Sequence, residues 1–125
     1  MMLVLLLVGL LALPADPPGR ARILVREEAG QWSIHAVFDN SDTPAGTLQY
    51  RLEVRKSGAS GTSETSQSGE FETVPGREDT LAVSSLNVGE GDRIDARLVV
   101  MDGDRIVDEA IVSCTLPYPC TGMDP

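Results

Sequence analysis

Aromatic residues are scarce in this chain of 125 residues: Trp32, Phe38, Tyr50, Phe71 and Tyr118 make up 4% of it. A base-stacking platform needs several on one face, so single-stranded nucleic acid is a poor partner class. Positive charge is scarce as well. Ten Lys+Arg stand against nineteen Asp+Glu, and the net charge of -9 would repel a phosphate backbone. Histidine is nearly absent: His35 stands alone, and alternation puts it on the face opposite Trp32 and Phe38, where a solvated strand position outweighs a general base. No serine lies in a Gly-x-Ser-x-Gly elbow or another recognisable nucleophile context. The acidic stretch with Asp102, Asp104, Asp108 and Glu109 lacks calcium-loop spacing and reads as a charged hairpin. Together these absences argue against an enzyme, a metal site or any cofactor, and for a binding or structural protein.

Long apolar runs are missing too. The longest, Leu3 to Leu13, is well below the roughly 20 residues a membrane-spanning helix needs. It has the length of a secretory h-region, and Pro14, Pro17 and Pro18 follow it at once. Residues 1–15 are therefore expected to be a signal peptide, 16–20 a linker, 21–116 one domain and 117–125 a C-terminal tail. Every charged residue lies beyond residue 15, so the exported chain keeps the whole acidic balance and no stable membrane span.

What is present is period-2 alternation. Leu48, Tyr50, Leu52 and Val54 point one way while Gln49, Arg51, Glu53 and Arg55 point the other. Ile94, Ala96, Leu98 and Val100 repeat the pattern, as do Trp32, Ile34, Ala36 and Phe38. Further strands are expected at Ala21 to Glu28, Glu64 to Val74, Thr80 to Val88 and Arg105 to Thr115, with Ala29-Gly30 and Asp102-Gly103 as hairpin turns. About seven short antiparallel strands without a helix predict an all-β, immunoglobulin-like β-sandwich, although no Cys-Trp-Cys framework is present. The stretch Ser57 to Gly69, rich in Ser, Thr and Gly, reads as a flexible loop grading into a polar edge strand.

Cys114 and Cys120 are the only cysteines, five residues apart in between. In an oxidising compartment such a pair predicts a disulfide that pins the tail, worth roughly 2 kcal/mol by chain entropy.

The block running from Tyr50, Leu52, Val54, Lys56, Ser57 and Gly58 through Ser-Gly-Thr-Ser to Gln67, Ser68, Gly69, Glu70 and Phe71, followed later by Leu98, Val100 and Asp102-Gly103, resembles the CsgH/CsgC family of curli assembly proteins. The resemblance covers roughly Ala21 to Leu116. The CsgC branch has a Cys-x-Cys pair where this chain reads TPAGTLQY, so the CsgH branch is the closer match. It implies a periplasmic, monomeric chaperone that binds curlin-type amyloid subunits and inhibits their premature polymerisation, with no enzymatic activity and no cofactor. The competing reading is an envelope-associated or extracellular immunoglobulin-like structural or adhesin module. Client-binding candidates are Arg51, Arg55 and Lys56, a basic exception in an acidic chain, and Ser66, Gln67 and Ser68 on the polar edge, where Gln67-Ser68-Gly69 resembles the Gln-x-Gly of curlin repeats.

Protein recovered from an oxidising compartment is expected to release no thiol on denaturation without reductant. Two titratable thiols would remove the tail staple.

Overall fold

The computed structural model describes residues 20–41, 44–116 and 121–123. The strands are β1 (Arg20–Glu28), β2 (Gln31–Asn40), β3 (Gly46–Gly58), β4 (Gly61–Thr73), β5 (Arg77–Leu86), β6 (Arg93–Asp102), β7 (Arg105–Thr115) and the short β8 (Thr121–Met123). They form two antiparallel sheets, a three-stranded one in the order β1-β2-β5 and a five-stranded one in the order β4-β3-β6-β7-β8. Seven principal strands thus make an all-β sandwich, as the alternation predicts. In the constant-type immunoglobulin order the fourth strand joins the first sheet; here β4 stays beside β3.

The reason lies in the turn. Only Ala59 and Ser60 separate the strands, and a two-residue connection forces them into one hairpin, paired from Gly58↔Gly61 to Gly46↔Thr73. The polar edge strand expected from Glu64 is present, whereas the part expected as flexible loop, Ser57 to Ser63, is paired as well apart from the turn. Its Ser and Thr side chains are small enough to sit on an exposed edge, and the pairing with β3 supplies the order that composition conceals. The β1–β2 turn behaves as expected: Ala29 and Gly30 both have positive φ, 53° and 82°, the twist a tight hairpin needs.

Alternation builds the core. Ile34, Ala36 and Phe38 of β2 face Leu48, Leu52 and Val54 of β3 together with Ile94, Leu98 and Val100 of β6, all buried. Fully burying one such aliphatic side chain contributes about 1.5–3 kcal/mol, and this packing replaces the missing disulfide–tryptophan pin. Three of the few aromatics meet at one end: the Phe38 and Phe71 rings are edge-to-face at 5.6 Å, and Tyr50 lies 6.3 Å from Phe71. Beside them the buried Asn40 amide donates to the Thr73 hydroxyl at 2.6 Å and ties β2 to the end of β4 across the sandwich.

Several boundaries differ from expectation, and β4 starts at Gly61 instead of Glu64 because the two-residue turn pairs it from there. β5 starts at Arg77, earlier than Thr80, because Gly76 N–H bonds to Asn40 C=O at 2.6 Å and delivers the chain into register at once. The segment expected as a tail contains β8, which pairs with β7 as Ile111↔Met123 to Ser113↔Thr121. The expected leader, Tyr118 and Cys120 lie outside the described residues; Cys114 is buried on β7.

Position 58 admits only glycine. A Cβ there would sit 1.8 Å from Asp92 Oδ1, and Asp92 is buried and held by Gly89 N–H at 2.8 Å. Gly58→Ala is expected to cost about 1–3 kcal/mol in urea unfolding. Gly46→Ala, which meets nothing within 4 Å, should stay within about 0.5 kcal/mol of the parent. Equal effects would remove the Asp92 contact as the cause.

Candidate functional site

Odd-numbered residues of β3 point away from the core, and pairing on both sides sets their neighbours. Arg51 lies beside Ser68 and Val99, Glu53 beside Ser66 and Arg97, and Arg55 beside Glu64 and Asp95. Charges of opposite sign therefore alternate across three strands. Arg51 Nε is 3.2 Å from Glu53 Oε2, Arg55 Nε is 3.6 Å from Glu64 Oε2, and Arg97 bridges Glu53, at 3.9 Å, to Glu109. Each exposed pair contributes only about 0–1 kcal/mol, so the lattice orders a surface more than it stabilises the fold. Within it lies an open hollow of about 570 Å³ lined by Arg51, Glu53, Arg55, Ser66, Arg97 and Ile111.

Next to this hollow, Arg93 Nε donates to Asp95 Oδ2 at 2.9 Å and the Ser113 hydroxyl donates to Asp95 Oδ1 at 2.7 Å. The Arg93 hydrogen bond holds the Asp95 carboxyl below its ordinary value; partial burial opposes it, while Ser113 and the charges of Arg93 and Arg55 reinforce it.

Of the residues expected from sequence, Arg51, Arg55, Ser66 and Ser68 come together on this outer face. Lys56 does not. It shares the inward parity of Leu52 and Val54, and its ammonium turns to the end of the sandwich, donating to Asn87 C=O at 2.6 Å with Asp92 Oδ2 4.0 Å away. Gln67 likewise points opposite to Ser66 and Ser68. Its Nε2 donates to Val83 C=O at 3.3 Å and spans the gap between β4 and β5. In both cases the two-residue period separates neighbours in sequence onto opposite faces.

His35 is half-buried on the outer face of the smaller sheet, with Nε2 3.0 Å from Ser33 Oγ. Asp108, expected to be a solvated hairpin charge, instead accepts the Ala21 N–H at 2.7 Å and fastens β1 to β7. Sequence reasoning placed Glu53 outward beside Arg51 and Arg55 but overlooked Asp95, Arg97 and Glu109 as members of the charged face. Their signal was available: each occupies the outward parity of an alternating strand. Among the described residues no group of His, Cys, Asp and Glu could hold a metal ion, and no helix is long and apolar enough to cross a membrane.

Residues 23–111 match the family described as CsgH protein. Among solved structures, CsgH of R. palustris is 25% identical with a TM-score of 0.59, over 73% of this chain and 89% of that one. The E. coli curli protein CsgC is 19% identical with a TM-score of 0.59, over 80% of this chain and 99% of that one, a likeness of fold. A β-galactosidase of Bacteroides fragilis is 14% identical with a TM-score of 0.51, over 79% of this chain and 16% of that one, so the likeness is to one sandwich module of a much larger protein. No curated protein matches.

Because its folded-state pKa is lowered, Asp95 stabilises the fold above the ordinary aspartate value of 3.8, and that contribution is lost as pH falls through the lowered value. Asp95→Asn is thus expected to lower the melting temperature at neutral pH and to match the parent in stronger acid. A difference that persists in acid would assign the effect to packing.

Proposed function

This chain belongs to the CsgH family, and from that membership we propose that it is a periplasmic chaperone that binds curlin-type amyloid subunits and inhibits their premature polymerisation. The observation that carries the reading is the family match over residues 23–111. The E. coli structural relative is itself named a curli protein. The protein acts by binding: the hollow on the outer face is walled by alternating arginines and carboxylates. It works as a monomer, is exported with the apolar segment Leu3 to Leu13 as its leader, and closes its C-terminal segment with a Cys114–Cys120 disulfide.

The contact surface is the outer face of β3 and β4, where Arg51 and Arg55 stand over Ser66 and Ser68. Over a field of -9, two arginines that are each 58% exposed on their side chains are a local site for a polar or acidic client segment. Glu53 and Glu64 hold them in place without burying them. At long range the field of -9 attracts the basic segments of a client, and this attraction weakens as salt shortens the Debye length from about 30 Å at 0.01 M to about 10 Å at 0.1 M.

A dye-monitored assembly assay of a curlin subunit with substoichiometric protein tests this. The parent is expected to lengthen the lag severalfold at low salt and less at high salt, and Arg51→Glu/Arg55→Glu to lose most of the delay while keeping a β-rich circular dichroism spectrum. No delay with the parent would overturn the chaperone reading. A delay indifferent to salt and to the double reversal would leave the chaperone reading but reject this face.

A further inference from the structure

One strand of the larger sheet ends the sheet in the open. β4 pairs with β3 alone, over thirteen residues. The two-residue turn makes Gly58 and Gly61 a pair that exchanges both backbone hydrogen bonds, so every second pair does likewise along the hairpin. Ser63, Thr65, Gln67, Gly69 and Phe71 therefore bond to β3. Thr62, Glu64, Ser66, Ser68, Glu70 and Glu72 turn their N–H and C=O groups outward. Glu72 bears this parity out, because its carbonyl accepts Arg77 Nη2 at 2.8 Å, which closes that end of the edge. From Thr62 to Glu70 the outward backbone groups have no partner among the described residues, a row of alternating donors and acceptors.

Side chains along this row say what fits. Those on the outer face are Thr62, Glu64, Ser66, Ser68, Glu70 and Glu72: three carboxylates and no cation. Glu64 is matched by Arg55, whereas Glu70, opposite Gln49, has no ion pair among the described residues. Beside Glu70 the face is hollowed, about 530 Å³ between Gln49, Arg51, Ser68 and Met101. The small serines at 66 and 68 leave room for a long side chain from an added strand to lie across them and reach Glu70. In a second copy paired antiparallel about Gln67, the centre of β4, Glu64 would stand against Glu70 twice, and like charges directly opposite are destabilising.

We propose that the β4 edge from Thr62 to Glu70 is a docking site for an extended polypeptide segment carrying Lys or Arg, added as a further strand with a cationic side chain against Glu70. Backbone hydrogen bonds supply the attachment and the carboxylates select the charge. Such a segment would be held beside the arginine face; the inference deepens the proposed function by naming a second contact, and it rests on that reading only for the natural source of the segment.

The test uses isotope-labelled full-length exported protein and blocked synthetic peptides of about eight residues, a usual strand length, alternating Lys-Ser or Glu-Ser. At low salt the Lys-Ser peptide is expected to shift and protect the amides of Glu64, Ser66, Ser68 and Glu70, and the Glu-Ser peptide to leave them unchanged. Glu70→Gln should weaken the Lys-Ser peptide about two- to fivefold, the range of one exposed ion pair. Ser66→Pro removes an outward donor and should fold yet lose the protection. Shifts spread equally over Asp102, Asp104 and Glu109 would reduce the effect to diffuse charge attraction and overturn the site, as would undiminished binding by folded Ser66→Pro. Protection of the same amides in the peptide-free protein that grows with concentration would assign the edge to a second copy. None of these readouts involves curlin, so their failure is separate from failure of the assembly assay.

Discussion

A two-residue turn at Ala59 and Ser60 governs the functional side of this molecule. It fixes the β3–β4 register, and register decides at a stroke which side chains enter the core, which form the charged face and which backbone groups are left at the edge. A slip of one residue would bury Arg51 and Arg55 and expose Leu52 and Val54. Two contacts hold the register from its ends. Gly58 lets Asp92 close against the hairpin tip, and the Asn40–Thr73 hydrogen bond fastens the far end to the opposite sheet.

Strands β3 and β4 divide the work unequally. β3 lies between β4 and β6 and contributes Leu48, Leu52 and Val54 to the core, so it carries the stability. β4 gives the interior little beyond the buried Thr73, Phe71 and the partly covered Gly69, over which the Tyr50 ring lies; a Cβ there would stand 3.2 Å from Tyr50 Cε1. A strand with so few inward anchors is free to be polar along its whole length. That polarity also suits an exposed edge in a protein proposed to meet aggregation-prone chains, because an apolar edge would template further growth. Gln67 adds a limited tie by reaching from β4 to Val83 on the neighbouring sheet.

The charged face follows the same economy of means. Opposite charges on β3, β6 and β7 pair across strands, so the surface is close to neutral locally while the chain as a whole is strongly acidic. Asp95 collects Arg93, Ser113 and the field of Arg55, which explains its lowered pKa without any need for deep burial. Long-range attraction and short-range order are thus separate properties of one surface, the first set by net charge and the second by cross-strand pairing.

Sandwich architecture, the strands around Tyr50, Ile94 and Ile34, the hairpin turn at Ala29-Gly30 and the outward course of Arg51 and Arg55 were all legible from the residues. Each depends on period-2 alternation or on the φ preferences of turn residues, which are local. The β6–β7 hairpin turns one residue later than expected, at Gly103-Asp104, because Asp102 still pairs with Arg105. The order in Ser57 to Ser63 was not legible, because Ser, Thr and Gly carry no alternating apolar signal and the strand there exists through its partner. Lys56 and Gln67 were misplaced for a related reason: nearness in sequence suggested one cluster, whereas parity sent them to the opposite side. Asp108 reached Ala21 and Asp92 reached Gly58 across distances that no local pattern encodes. Sequence alone therefore determined which segments become strands and which faces they bury, because those choices rest on local periodicity. Tertiary structure alone decided the register of the polar edge strand and which charges meet, because those depend on pairing between strands.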